Sequence, residues 1–413
     1  MKRGSIVFIV PVIFFMMILG FHAPALSAEK KPILIGHVHT MSGPMSMYGI
    51  SCDTAGQIAV DEINAAGGIL GRPLKMITRD DKLNPEVGRR EARDLVLNQH
   101  VDFLTGTISS GVAKAIWDYS REAKKIFIIN ISQSTKLTEE LGHRYGFRMT
   151  TNVVPYCQAP LDLYHNKFPN DKKIITMALD YEWGHNSADL QWERYKQLVP
   201  DAKLVKQLWP PLSTTDFRPY ITSMLASGAD GLFASIYGGL ELTFVKQAWG
   251  FGLYDKMHVV EQCAGDPETW DTQRKSDPYP KGAIVSSRYP YWTFTDKKNK
   301  DFVKEHFKRC KIVSPSYGAM DQYTIIYALK KAIEKAGSVD TEKVINVLEG
   351  MEVDSLVGRF KMRAYDHQAM MPTWVGVMGF SHGLPFPHII DSYSIGEESY
   401  HSVEYIKKIR AKK

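Results

Sequence analysis

The sequence predicts an α/β protein built as two doubly wound lobes, and three observations carry that expectation. Short apolar runs of strand length alternate with segments of helical periodicity. The alternation runs through once, breaks near residues 144–151, and then restarts. Successive apolar runs end in small polar loops, and parallel strands bring such loops together along one sheet edge. A chain of 413 residues is long enough for two lobes, each with its own core.

The first unit sets the pattern. Residues 33–39 read as a strand, and Ser42-Gly43-Pro44 to Tyr48-Gly49 as a polar loop. A helix follows with Ala55, Ala59, Ile63 and Ala66 on one face, until Gly67-Gly68 stops it. Residues 74–78 resume as a strand. A helix is expected over 85–98, and a strand over 101–104 that ends in Gly106-Thr107-Ile108-Ser109-Ser110-Gly111. After a helix carrying Val112, Ile116 and Tyr119, the apolar run 126–129 reads as a buried strand. It ends in Asn130-Ile131-Ser132-Gln133-Ser134-Thr135.

Beyond the break, strands are expected at 174–179, 204–207, 232–236 and 257–260. Three of them lead into Asp180-Tyr181-Glu182-Trp183-Gly184, Tyr237-Gly238-Gly239 and Glu261-Gln262-Cys263. Residues 283–287 are extended, while 299–310, 321–336 and 341–348 are helical. Strands at 360–362 and 374–378 complete the expected elements.

Several function classes fall away. The formal net charge is +6, and the basic residues are dispersed apart from a tail at the C-terminus. Nucleic-acid binding needs a concentrated stripe. Lys2 and Arg3 precede the apolar stretch 6–19 and the small residues Ala25, Ser27 and Ala28. That order is expected to be a secretory signal over residues 1–28, placing the protein in the periplasm. Cys52, Cys157, Cys263 and Cys310 lack zinc spacing, and sequence cannot choose among their possible pairings. His37 and His39 share a strand face, but no further ligands follow later strands, so no metal site is expected. The Ser109-Ser110 pair lies outside a nucleophile elbow, and the glycines at 67, 68 and 71 follow a helix rather than a strand. Neither a catalytic residue nor a cofactor is expected. Tyr48, Trp183, Tyr237 and Trp292 sit in predicted loops, where aromatics can wall an apolar pocket.

The run SGPMSMYG, then AVDEINAAGGILGRPL and DDKLNPE, with GTISSGVA and ALDYEWG further on, resembles the exported solute-binding proteins of branched-chain amino acid ABC transporters. The resemblance covers the whole chain after the signal. It implies the type I periplasmic binding protein fold, with two lobes joined by three hinge crossings and closing on a ligand. Lobe 1 is expected over 29–148 and 285–372, lobe 2 over 149–284 and 373–413. By resemblance, Ser109, Ser110, Ser132 and Ser134 would bind a ligand carboxylate. Tyr48, Trp183 and Tyr237 would be aromatic contacts. An acid of lobe 2 faces the ligand ammonium in that family, and Glu261 or Gln262 falls near that place. Glu261 would accommodate an amine, whereas Gln262 would favour an uncharged group. The implied partners are a small amino acid, carboxylate or amide ligand and the membrane permease subunits of an ABC transporter. A receptor subunit is the alternative, and an amidase a more distant one.

Overall fold

The computed structural model describes residues 1, 4 and 30–412, apart from 312 and 382; the expected signal segment lies almost wholly outside them. The first lobe holds a parallel sheet of β1 (Ile33–His39), β2 (Leu74–Asp80), β3 (Phe103–Gly106), β4 (Phe127–Ile129) and β5 (Gly146–Arg148). Their spatial order is β2-β1-β3-β4-β5. The connecting helices are α1 (Ser46–Ala65), α2 (Pro85–Leu97), α3 (Ser110–Ala123) and the single turn α4 (Thr135–Thr138). Local chemistry sets their starts. Asn84 caps α2 by accepting from the backbone of Glu86 and Val87, with Pro85 in the first turn. α1 begins earlier than its glycines suggest, so Tyr48 lies in its first turn rather than in a loop.

The chain crosses into the second lobe after β5. There α5 (Val153–Lys167), β6 (Lys173–Ala178), α6 (Glu182–Leu198), β7 (Lys203–Leu208) and α7 (Arg218–Leu225) follow in turn. Next come β8 (Gly231–Ser235), α8 (Gly238–Gly250), α9 (Leu253–Lys256), β9 (His258–Glu261) and β10 (Ile284–Ser287). A second crossing returns the chain to pack α10 (Lys297–Arg309) and α11 (Tyr317–Ala336) against α1, with α12 (Thr341–Leu348) beside α11. The hairpin β11 (Glu352–Ser355) and β12 (Gly358–Lys361) precedes the third crossing.

β13 (Thr373–Gly379) and β14 (His388–Ile395) then close the second sheet, in the order β14-β13-β10-β9-β8-β6-β7. β13 runs antiparallel to β10, and β14 antiparallel to β13. The chain ends in α13 (Val403–Arg410).

Two boundaries differ from expectation. The switch expected at residue 285 falls inside β10, which pairs with β9 and β13 and so belongs to the second sheet. The tail assigned to lobe 2 does not stay there. Arg410, in α13, donates to the carbonyls of Thr138 and Glu139 in the first lobe.

The lobes meet in one buried apolar cluster. Tyr48, Ile108, Ile131 and Tyr317 from one side join Trp183, Tyr237 and Cys263 from the other. No helix among the described residues is long and apolar enough to cross a membrane.

Candidate ligand-binding site

Where strand ends of the two lobes face each other lies a pocket with about 290 Å³ of atom-free space, its mouth included. The first lobe lines it with Ile108, Ile131, Gln133 and Tyr317, the second with Tyr181, Trp183, Tyr237, Cys263 and Arg288.

Backbone shape positions the second wall. A Cβ on Gly184 would overlap the Leu179 carbonyl, so glycine is what lets α6 start close against the end of β6 and hold Trp183 at the mouth. Gly238 takes φ +60°, which turns the chain sharply after Tyr237. Trp183 meets Tyr237 edge-on at 5.4 Å between ring centroids, and the hydroxyls of Tyr181 and Tyr237 are 3.0 Å apart. Burial raises the Tyr237 pKa to about 12 and pushes the Cys263 thiol upward as well. These groups are neutral at any ordinary pH.

Arg288 is the one cation in the lining. It follows β10 and is 5% exposed. Its Nε and Nη2 donate to Asp266 Oδ2 at 3.1 and 2.5 Å, and its backbone N–H donates to Oδ1 at 3.0 Å. The guanidinium carbon lies 3.0 Å from the Tyr317 ring centroid and 4.3 Å from that of Tyr156. Burial alone would lower its pKa, but Asp266 and the flanking phenols hold it well above the usual value. The third nitrogen, Nη1, donates to no described side chain or backbone group.

The expected residues divide. Trp183 and Tyr237 line the pocket. Tyr48 stands one layer behind, its ring 6.1 Å from Tyr237 and 6.3 Å from Tyr317. The serines are engaged by protein groups, and two of them tie the loops after β3 and β4 together. Ser109 caps α3 through Val112 N, Ser110 Oγ accepts from Ser134 N, and Ser132 Oγ donates to the carbonyls of Thr107 and Ile108. Ser134 donates to Glu182 Oε1 across the lobes at 3.3 Å.

Glu261 and Gln262 do not face the cavity. Glu261 Oε1 accepts from Tyr254, whereas Gln262 Oε1 accepts from Cys157, Gln191 and Ser235 inside the second lobe. Successive residues at a strand end point to opposite faces, which buries both, and Cys263 is the next to reach the pocket. Trp292 packs on His388 and Phe386 instead. All four cysteines are free and buried. Among the described residues no group of three or more His, Cys, Asp or Glu side chains could hold a metal. His37 and His39 are buried in the first lobe, with Nδ1 of His37 on Thr105 and Nδ1 of His39 accepting from Thr40 N.

Arg288 and Tyr181 escaped the sequence reading. The available signal for Arg288 is its place just beyond β10, at the sheet edge where the other strand-end loops gather.

Two α/β lobes, three crossings and a pocket between facing strand ends define a clamp-type solute-binding protein. Residues 32–381 match the family model described as Periplasmic binding protein, and the chain belongs to that family. A Leu/Ile/Val-binding protein homolog from Brucella melitensis is 22% identical over 364 residues, covering 85% of each chain. The leucine-, isoleucine-, valine-, threonine- and alanine-binding protein of Pseudomonas aeruginosa is 25% identical over 349 residues, covering 83% of this chain and 88% of that one. The fold is also that of an ABC-transporter solute-binding protein from Rhodopseudomonas palustris BisB5, solved with 3,4-dihydroxybenzoic acid. The TM-score is 0.77 at 20% identity, covering 88% of this chain and 97% of that one. The protein is thus a member of the periplasmic binding protein family with the two-lobed fold of solute-binding proteins.

Proposed function

We propose that the protein, exported through its N-terminal segment, captures a small carboxylate-bearing solute between its lobes and hands it to an ABC-type permease. One observation carries the ligand class: Arg288 is the sole cation of an otherwise neutral aromatic pocket, and its Nη1 donates a hydrogen bond to no described group. Asp266 already offsets much of its charge, so recognition rests on a directed, charge-assisted hydrogen bond rather than on bare attraction. Tyr181, Trp183, Tyr237 and Tyr317 give the remaining surface a shape suited to a flat or branched apolar body. The Rhodopseudomonas protein was solved with an aromatic acid, and the Pseudomonas protein is named for aliphatic amino acids; both ligands carry a carboxylate. Trp183, Tyr237, Tyr181 and Arg288 are the proposed principal contacts, with Tyr48 supporting them and the serine loops completing the closed wall.

Thermal-shift and calorimetric titration of the mature protein with benzoate, 3,4-dihydroxybenzoate, leucine and their amides tests this. A ligand at 100 times its Kd stabilises by about 2.7 kcal/mol. Acids binding at least tenfold tighter than the matched amides is the expected outcome. Equal affinity for acid and amide would remove the assigned role of Arg288.

A further inference from the structure

The family match ends at residue 381, yet the chain beyond it makes polar contacts with the first lobe and with the third crossing. After β14 leaves the second sheet, the Tyr400 hydroxyl donates to Met371 O at 2.9 Å, at the third crossing. Arg363 Nη1 donates to His401 O at 2.9 Å, and His401 Nδ1 sits 3.0 Å from both carboxylate oxygens of Glu139. The Glu139 side chain is only 2% exposed. α13 then buries Ile406 completely, and Arg410 donates through Nε to Glu139 O at 2.6 Å and through Nη2 to Thr138 O at 2.8 Å. Its guanidinium and the Lys407 ammonium both lie over Tyr365.

The turn that receives these bonds is also the one that touches the second lobe at the mouth of the cleft. Thr135 N–H donates to Asn186 Oδ1 at 3.1 Å, and the Thr135 hydroxyl lies 3.2 Å from the same oxygen. Lys136 pairs with Glu182 at 2.9 Å, and Ser134 donates to Glu182 as well. One end of α4 is therefore tied to the C-terminal tail, and the other to the start of α6. Short helices of a single turn have little stability of their own, so what holds α4 from outside sets where it sits.

We propose that residues 397–411 form a strap that fixes α4 against the first lobe so that it can latch onto α6, biasing the lobes toward the closed state. The strap is continuous with an edge strand of lobe 2 and ends on lobe 1, so it spans the hinge side while the latch closes the mouth. Its effect is a population shift between open and closed forms and does not depend on which solute is bound.

The test uses the full mature chain without ligand, as wild type, as Arg410→Met and as a deletion from residue 397. Hydrogen exchange at Thr135 reads the latch directly, because its N–H bonds across the lobes. Both variants should exchange at least tenfold faster at 134–138 and 182–186, with β6, β8 and β9 unchanged, and their radius of gyration should rise. If faster exchange is confined to 400–410, or spreads evenly through both sheets, the strap is a structural tail only and the proposal fails. The ligand assignment is untouched by either result, since no solute enters the experiment.

Discussion

The two lobes face the same pocket with different chemistry. The first presents Ile108, Ile131 and Gln133 from loops whose serines are occupied in holding those loops together, and adds Tyr317 from α11. The second presents three aromatics, a thiol and a guanidinium. Each lobe also buries an arginine, and they are used oppositely. Arg148 donates to the carbonyls of Gln133 and Ser134 and to the Thr138 hydroxyl, and burial lowers its pKa to about 10. It is an internal fastener for the loop that carries Gln133. Arg288 is fastened on one edge by Asp266 and forms part of the cavity lining. On the proposed ligand role of Arg288, the second lobe would discriminate among solutes while the first closes over them.

The sharpest way to break that contrast is Arg288→Met. Ligand affinity should fall at least 100-fold. Stability should also fall, by about 3–5 kcal/mol, because Asp266 is left as an unpaired buried carboxylate. Adding Asp266→Asn should recover much of the stability and none of the affinity, as measured by denaturant melts and calorimetry. A double variant that binds like wild type would place recognition elsewhere. Trp183→Ala comes next, with a loss of about 2 kcal/mol in binding, the size common for a central aromatic anchor. Its effect on the melting of the free protein should be smaller, since Trp183 is held between lobes rather than inside one.

Both lobes bury titratable groups whose shifts set the pH dependence of stability. In the second lobe, desolvation raises Glu261 from 4.5 to about 8, and raises Glu241 and Glu268 as well. A carboxyl raised by folding favours the native state fully below the unfolded value of 4.5, and that contribution is lost as pH climbs through the folded value. In the first lobe, desolvation lowers His37 and His39 from 6.5 to about 3. Their contribution is complete above 6.5 and is lost as pH falls toward 3. Each group changes stability by about 1.4 kcal/mol per pH unit inside its window. Stability should therefore peak between pH 4.5 and 6.5 and decline on both sides. Glu261→Gln should flatten the alkaline limb, and His39→Gln the acid limb. A melting temperature that rises steadily from pH 6.5 to 8 would contradict the first of these.

How far the sequence foretold this arrangement follows from the kind of signal each part gives. β1 and α12 were legible to the residue, because apolar spacing and caps are local properties. α5 was not assigned, since Pro155 and Pro160 interrupt its pattern and only packing beneath the second sheet sustains it. β14, an eight-residue edge strand, and α13 were missed as well, both being held in place by neighbours far away in sequence. At the pocket, the aromatics after β6 and β8 were found by their strand-end position. Glu261 and Gln262 were misplaced because both faces of the second sheet are covered there, so neither side of the strand end opens onto the cavity. Arg288 needed knowledge of which carboxylate it meets, and Asp266 lies far enough away in sequence that no spacing announces the pair.

The smallest expected effect bears on the first lobe. Ser110 Oγ meets Ser134 N at 3.4 Å, a long contact, and removing it should cost less than about 1 kcal/mol. If the first lobe contributes shape rather than side-chain chemistry, Ser110→Ala should bind within about fivefold of wild type. Calorimetry on Ser110→Ala beside Trp183→Ala puts the two walls on one scale. A loss from Ser110→Ala as large as that from Trp183→Ala would mean that the serine loops re-aim onto the ligand carboxylate when it binds. Arg288 would then share its role with the first lobe, and discrimination would belong to both walls.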